Sequence, residues 1–178
     1  FDYVVVGAGS GGCAVASRLS EDAGASVALL EAGGRADNWV VTMPGGLILM
    51  VPSPVNNWAF TTVPQPGLNG RIGYQPRGKG LGGSSAINAM CYIRGHRADY
   101  DHWAALGNTG WSFVEVLPYF KRSEDNSEFD GEYHGKGGPL SVCRLQTDNP
   151  VHEIYLEAAR EAQFRINDDF NGAEQEGL

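Results

Sequence analysis

An α/β fold with a parallel sheet is what this 178-residue sequence predicts, on three observations. Two short apolar runs, Phe1 to Val6 and Ser26 to Glu31, read as buried strands. Between them, Gly7-Ala8-Gly9-Ser10-Gly11-Gly12 spells G-x-G-x-x-G, a tight turn that opens a helix. Ala14, Val15, Ala16 and Leu19 then recur at helical spacing through Cys13 to Asp22, and Gly24 ends the run. Strand, helix and strand within about 30 residues make one right-handed crossover unit.

The elements that follow are less regular. Ala32 to Arg77 carries five prolines (44, 52, 54, 64 and 66) and an extended stretch from Trp58 to Pro64. That is too long for an ordinary connection and reads as a functional excursion. A second glycine cluster, Gly78 to Gly83, leads into Ser84-Ser85-Ala86-Ile87-Asn88-Ala89-Met90, which has the look of a capped helix start. Ser112 to Glu115 forms a capping box, with Pro118 expected to kink or shorten the helix behind it. Asn149-Pro150 caps a further helix with Val151, Ile154, Tyr155, Ala158 and Ala162 on one face. The acidic stretch Glu124 to Glu132 reads as a solvated loop.

Composition narrows the function. The chain has 13 basic and 21 acidic residues, a net charge of -8, and all of that excess lies in its second half. Nucleic-acid binders carry a basic patch or stripe, so that class of partner is not expected. Glycine, at 25 residues, is about twice its average share and concentrates in the first half, where it points to a cofactor. Cys13, Cys91 and Cys143 are odd in number and widely spaced, arguing against a disulfide framework or a zinc site. They suggest a reduced chain in the cytoplasm, free or peripheral to a membrane. The strongest apolar run, Leu47 to Val51, falls far short of the ~20 residues of a membrane span.

Each part of the first glycine motif has a physical task. Gly7 permits the turn, Gly9 lets backbone approach a pyrophosphate, and Gly12 lets helix and strand pack closely. The helix start supplies N–H donors and partial positive charge to phosphates. Glu31, ending the second strand, can accept from both hydroxyls of a ribose and would repel a 2′-phosphate. These features fit FAD and NAD alike. In the second cluster, glycines 80, 82 and 83 remove side chains so that backbone can lie against a flat ring system. A helix starting near Ser84 would aim its positive end at charge formed there. Gly73 to Lys79 begins like a P-loop, but Gly80 stands where Ser or Thr must hold magnesium. His96, His102, His134 and His152 show neither H-E-x-x-H nor i, i+4 spacing, so hydrogen-bonding or surface roles are expected and no metal site.

Arg77-Gly-Lys-Gly-Leu-Gly-Gly-Ser-Ser-Ala-Ile-Asn-Ala-Met-Cys-Tyr-Ile-Arg-Gly-His-Arg-Ala-Asp-Tyr-Asp101 resembles the first signature of the glucose–methanol–choline (GMC) oxidoreductase family. Leu30-Glu31-Ala32-Gly33-Gly34, Trp58-x-Phe60-x-Thr62, Tyr133-His-Gly and Asp169-Phe-Asn-Gly-x-x-Gln-Glu-Gly177 are similar to further landmarks of that family. The nearest likeness is to its choline dehydrogenase and aliphatic alcohol dehydrogenase branch. The resemblance implies a Rossmann-like FAD-binding domain, incomplete here, with the start of an α+β substrate domain. Residues 1–145 would belong to the former, with the 32–77 excursion and the 78–101 flavin-site signature, and residues 146–178 to the latter.

The implied activity is oxidation of a primary alcohol to an aldehyde by hydride transfer to flavin N5, with oxygen or a quinone as electron acceptor. The implied cofactor-binding residues are Gly7, Gly9, Ser10, Gly11, Gly12, Glu31, Ala32, Gly78, Gly82, Gly83, Ser84, Asn88, Ala89, Met90 and Cys91. The family's proton-accepting histidine lies in its C-terminal part, and no histidine here matches that motif. Some family members bind FAD covalently through a histidine just before the asparagine of the signature. That position is Ile87 here, so dissociable FAD is expected, with Cys91 read as a small buried helix residue. Three other readings stay open: a non-redox hydroxynitrile lyase of the same family, a free-standing NAD-binding domain, and a non-catalytic nucleotide-binding fragment.

Overall fold

Tyr3–Val6 (β1), a tyrosine followed by three β-branched valines, pairs in parallel with Val27–Leu30 (β2), Tyr3 opposite Val27 and Val6 opposite Leu30. The crossover between them is the helix Ser10–Leu19 (α1), which starts three residues earlier than apolar spacing suggests and also ends earlier. Asp2 and Ser26 staple the open end: the Ser26 amide and hydroxyl donate to Asp2 Oδ2 over 2.8 and 2.7 Å. At the other end Gly7 takes φ +92°, and a β-carbon on Gly12 would stand 1.9 Å from the Gly7 carbonyl oxygen. Only glycine fits either position.

The computed structural model describes all of residues 1–178. It divides into two compact units, Phe1–Cys91 and Tyr92–Leu178. In the first, residues 32–77 are an ordered excursion rather than a loose loop. It contains Trp39–Thr42 (α2), a 3-10 turn at Pro44–Gly46, Leu47–Met50 (α3), and the antiparallel pair Phe60–Thr61 (β3) and Tyr74–Gln75 (β4). Asn57, 3% exposed, organises it. Its Nδ2 lies within 3.2 Å of the carbonyls of Met50, Val51 and Ser53, while Oδ1 accepts from Ala59 N and Arg77 N. One buried amide thereby replaces several missing ladder bonds.

Two expectations fail in this unit. The helix expected from Ser84 is a 3-10 run of five residues, Gly83–Ile87, preceded by Gly82 at φ +91° and followed by extended Asn88. Left-handed backbone at Gly82 and Gly83, with Met90 at φ +58°, cannot propagate an α-helix. Cys91 is therefore neither helical nor buried. The strands are also not buried within this chain: Val4 is 56% and Val6 81% exposed, because two strands and one helix leave most of the sheet uncovered.

In the second unit, Arg97–Ala105 (α4) is capped at His96, whose Nδ1 accepts from Ala98 N while Asp99 accepts from His96 N. Phe113–Ser123 (α5) follows its capping box, Glu115 accepting from the Ser112 amide over 3.1 Å. Pro118 sits inside α5 without ending it. Tyr100 of α4 meets Phe113 and Phe120 of α5 at ring separations of 6.2 and 5.6 Å. Glu124–Asn126 (β5) pairs in parallel with Leu140–Val142 (β6), and Pro150–Glu161 (α6) begins at Asn149, which accepts from Val151 N. The solvated loop expected over 124–132 is thus corrected at its start. Glu124 and Asn126 are buried strand residues, because Arg94 and His134 supply partners for the carboxylate.

Candidate functional site

Ala8 joins the two glycine segments. Fully buried, it donates its amide to Glu31 Oε2 over 2.8 Å, and its carbonyl accepts from Gly82 N over 2.7 Å. Gly9 and Gly82 form a parallel bridge, as do Gly34 and Gly80. Glycine is required along this seam. A β-carbon on Gly83 would lie 2.7 Å from the Gly9 α-carbon, and one on Gly33 would lie 2.4 Å from Gly80 N. Two segments some seventy residues apart in sequence, read separately as phosphate and flavin elements, are in fact one backbone surface.

The other side of the first turn is open. Nothing lies within 4 Å of where a β-carbon would stand on Gly9 or Gly11. The N-cap of α1 is Gly9, with no side-chain cap, so the first amides of this ten-residue helix are free to donate outward. An unobstructed approach to uncapped helix amides suits a pyrophosphate.

Glu31 sits beside this opening with both oxygens engaged. Oε1 accepts from Gly33 N and Oε2 from Ala8 N, each over 2.8 Å. Those backbone bonds, that from Gly33 first, hold the carboxyl below the usual glutamate range, so it is ionised at neutral pH. Each oxygen keeps a second lone pair with which to accept from a hydroxyl. The sequence did not reveal that Glu31 also braces the glycine turn.

Past the seam, Gly78 N donates to Ser84 Oγ over 3.0 Å, tying the second segment into a closed loop. Asn88 Oδ1 accepts from Met90 N over 2.8 Å and stabilises the left-handed turn there. A cavity of about 170 Å³ opens between Val41–Met50 and Ser85–Met90. Ser10, Gly11, Ala32, Ser84, Asn88, Ala89, Met90 and Cys91 are all exposed, and Ile87 is buried. Gly7, Gly9, Gly12, Glu31, Gly82 and Gly83 are thus brought together, whereas Asn88 to Cys91 form a separate exposed edge. The glycine cradle, free helix amides and ionised acid fit a dinucleotide with an unphosphorylated ribose.

Comparison with known proteins agrees. The family model described as GMC oxidoreductase matches residues 1–178. An alcohol dehydrogenase [acceptor] from Pseudomonas putida is 49% identical over 100% of this chain and 32% of its own length. A mitochondrial choline dehydrogenase from Mus musculus is 44% identical, with 100% and 31% covered. Among solved structures, pyridoxine 4-oxidase from Mesorbium loti superposes with a TM-score of 0.90 at 35% identity, over 99% of this chain and 35% of that one. A formate oxidase variant from Aspergillus oryzae RIB40, solved for its effect on FAD modification, gives 0.87 at 29% identity, covering 98% and 32%. The chain spans about a third of the length of the relatives it matches. These relatives are dehydrogenases and oxidases; they lend no support to a hydroxynitrile lyase or a free-standing NAD-binding domain.

Proposed function

The chain belongs to the GMC oxidoreductase family, and from that premise we propose that it carries the FAD-holding part of an enzyme that oxidises a primary alcohol to an aldehyde. The observation that supports this most directly is the Ala8–Gly82 bond, which makes one surface of the two glycine segments. When bound, FAD supplies the acceptor for the hydride that leaves the alcohol carbon.

The chain's own residues bind and orient. Gly9, Ser10, Gly11 and Gly12 offer their amides to the pyrophosphate, with Gly7 setting the turn. Glu31, with Ala32 beside it, accepts from the adenosine ribose. Gly78, Gly82, Gly83 and Ser84 present bare backbone to the ring system, and Asn88, Ala89, Met90 and Cys91 border its edge. The dipole of a five-residue 3-10 run is short, so close backbone approach rather than a helix end is this segment's contribution. Residues 1–145 are assigned to the FAD-binding domain and 146–178 to the start of the substrate domain.

The test is spectroscopic, on the protein at its natural length. A flavin absorption spectrum that bleaches anaerobically on adding a primary alcohol is the expected result. A protein that purifies with flavin but is not bleached by choline, aliphatic or aromatic alcohols would remove the alcohol-oxidising part of the reading.

A further inference from the structure

Residues 92–178 contain a buried chain of charge that the cofactor site does not use. Glu124 is fully buried; Arg94 Nη2 donates to its Oε2, and Asn126 Nδ2 donates to Oε1 over 2.6 Å. His134, 5% exposed, places Nδ1 2.9 Å from Glu124 Oε1 and Nε2 2.9 Å from Asp169 Oδ2. The ring thus bridges two carboxyl groups, one at each nitrogen, with Asn126 Nδ2 also 3.2 Å from Nδ1. Arg94 gives the buried Glu124 its charged partner.

Asp169 begins a segment that grips another. Asn171 Oδ1 accepts from Arg94 N over 2.8 Å, and its Nδ2 donates to Tyr92 O over 3.0 Å. Gln175 Nε2 donates to Arg94 O over 2.6 Å. Tyr92 to Arg94 belong to no strand or helix, so these two side-chain amides stand in for a neighbouring strand. Asp169 Oδ1 also accepts from Asn171 N over 3.0 Å, linking the charge chain to the grip itself.

We propose that residues 167–177 are a clasp on Tyr92–Arg94, and that His134, bridging Glu124 and Asp169, is its latch. Tyr92 directly follows Cys91, the last of the proposed cofactor-bordering residues, so the clasp fixes the end of that stretch. Only this consequence rests on the FAD reading; the latch does not. The groups facing His134 are Glu124 and Asn126 from β5, Asp169 from the clasp, and the Phe129 ring at 5.2 Å. Arg94 acts on it through Glu124, and Lys136 donates to Asn126 O. Removing either end of that bridge opens the latch.

Amide hydrogen exchange on the protein at its natural length tests this, read as protection of Arg94 N–H and of residues 167–177. Asp169→Asn is the decisive variant. Its side chain is 27% exposed, so the change is mild. Both segments are expected to lose protection by about tenfold. His134→Gln, which removes the bridging ring, is expected to lose protection to a similar extent. A loss below about threefold in Asp169→Asn overturns the latch. Flavin content is read in the same samples. Exchange that rises with flavin content unchanged keeps the latch and removes its consequence for the cofactor.

Discussion

Gly83 is packed so closely on Gly9 that a β-carbon at position 83 would lie 2.7 Å from the Gly9 α-carbon. Gly83 also holds φ +54°, a conformation costly for residues with side chains. The contact is backbone against backbone, so neither partner can turn aside.

Gly83→Ala should therefore part the two glycine segments and abolish FAD retention. The ratio of flavin to protein absorbance after purification is the measurement. Gly67→Ala is the control, since a β-carbon there meets nothing within 4 Å. A Gly83→Ala protein as yellow as that control would mean the seam is not part of the cofactor site.

Glu31→Ala should cost more than its ribose bonds alone. It also leaves the amides of Ala8 and Gly33 without acceptors, loosening the turn that carries Gly9. FAD affinity is expected to fall at least tenfold, about 1.4 kcal/mol, with the spectrum of any bound flavin unchanged. Titration with FAD while following flavin fluorescence measures it; a change within about threefold would leave Glu31 outside the site.

What the sequence revealed and what it hid divide along physical lines. Both caps at Ser112 and Asn149 and the glycine tasks at Gly7 and Gly12 depend on neighbours within a few residues, and β1 and β2, though they pair across 24 residues, are each marked by their own apolar run. All were legible. The excursion's order depends on Asn57, whose partners run from Met50 to Arg77, and no spacing rule marks such an amide. Glu124 looked solvated beside its acidic neighbours because Arg94, thirty residues away, cannot be seen in a local window. The failed helix at Ser84 has another cause. Serine is a favoured cap residue, but the preceding glycines are left-handed and Gly82, with no side-chain cap, starts the run instead.

Glu124 gives the protein an acid-side weakness. Burial pushes its carboxyl upward, but bonds from His134 and Asn126 and the Arg94 charge bring it below the ordinary glutamate range. A carboxyl lowered on folding stabilises the native state above its unfolded value and loses that effect as pH falls towards its folded value. Thermal stability should therefore drop as pH falls below about 4.5. Glu124→Gln should be less stable by about 3–5 kcal/mol near neutrality, because Arg94 is left unpaired, and should fall less steeply in acid. Parallel melting-temperature curves for the two proteins would remove Glu124 as the cause.

The attachment of the flavin follows from what stands at the end of the second glycine segment. Ile87 closes the 3-10 run, is 5% exposed, and has no nucleophilic atom. His96 uses Nδ1 to cap α4, and its place before that helix is fixed by the bond its own amide donates to Asp99 Oδ2. Cys91 is the one exposed nucleophile in the proposed border, which makes it the group able to defeat the expectation of dissociable FAD. Its thiol points at the Ala89 carbonyl, 3.8 Å away, in a turn held by Asn88. Acid precipitation of the protein at its natural length should leave the yellow colour in the supernatant, and Cys91→Ser should behave identically. A yellow pellet from the parent and a colourless one from Cys91→Ser would instead establish a thioether at Cys91; yellow pellets from both would point to His96.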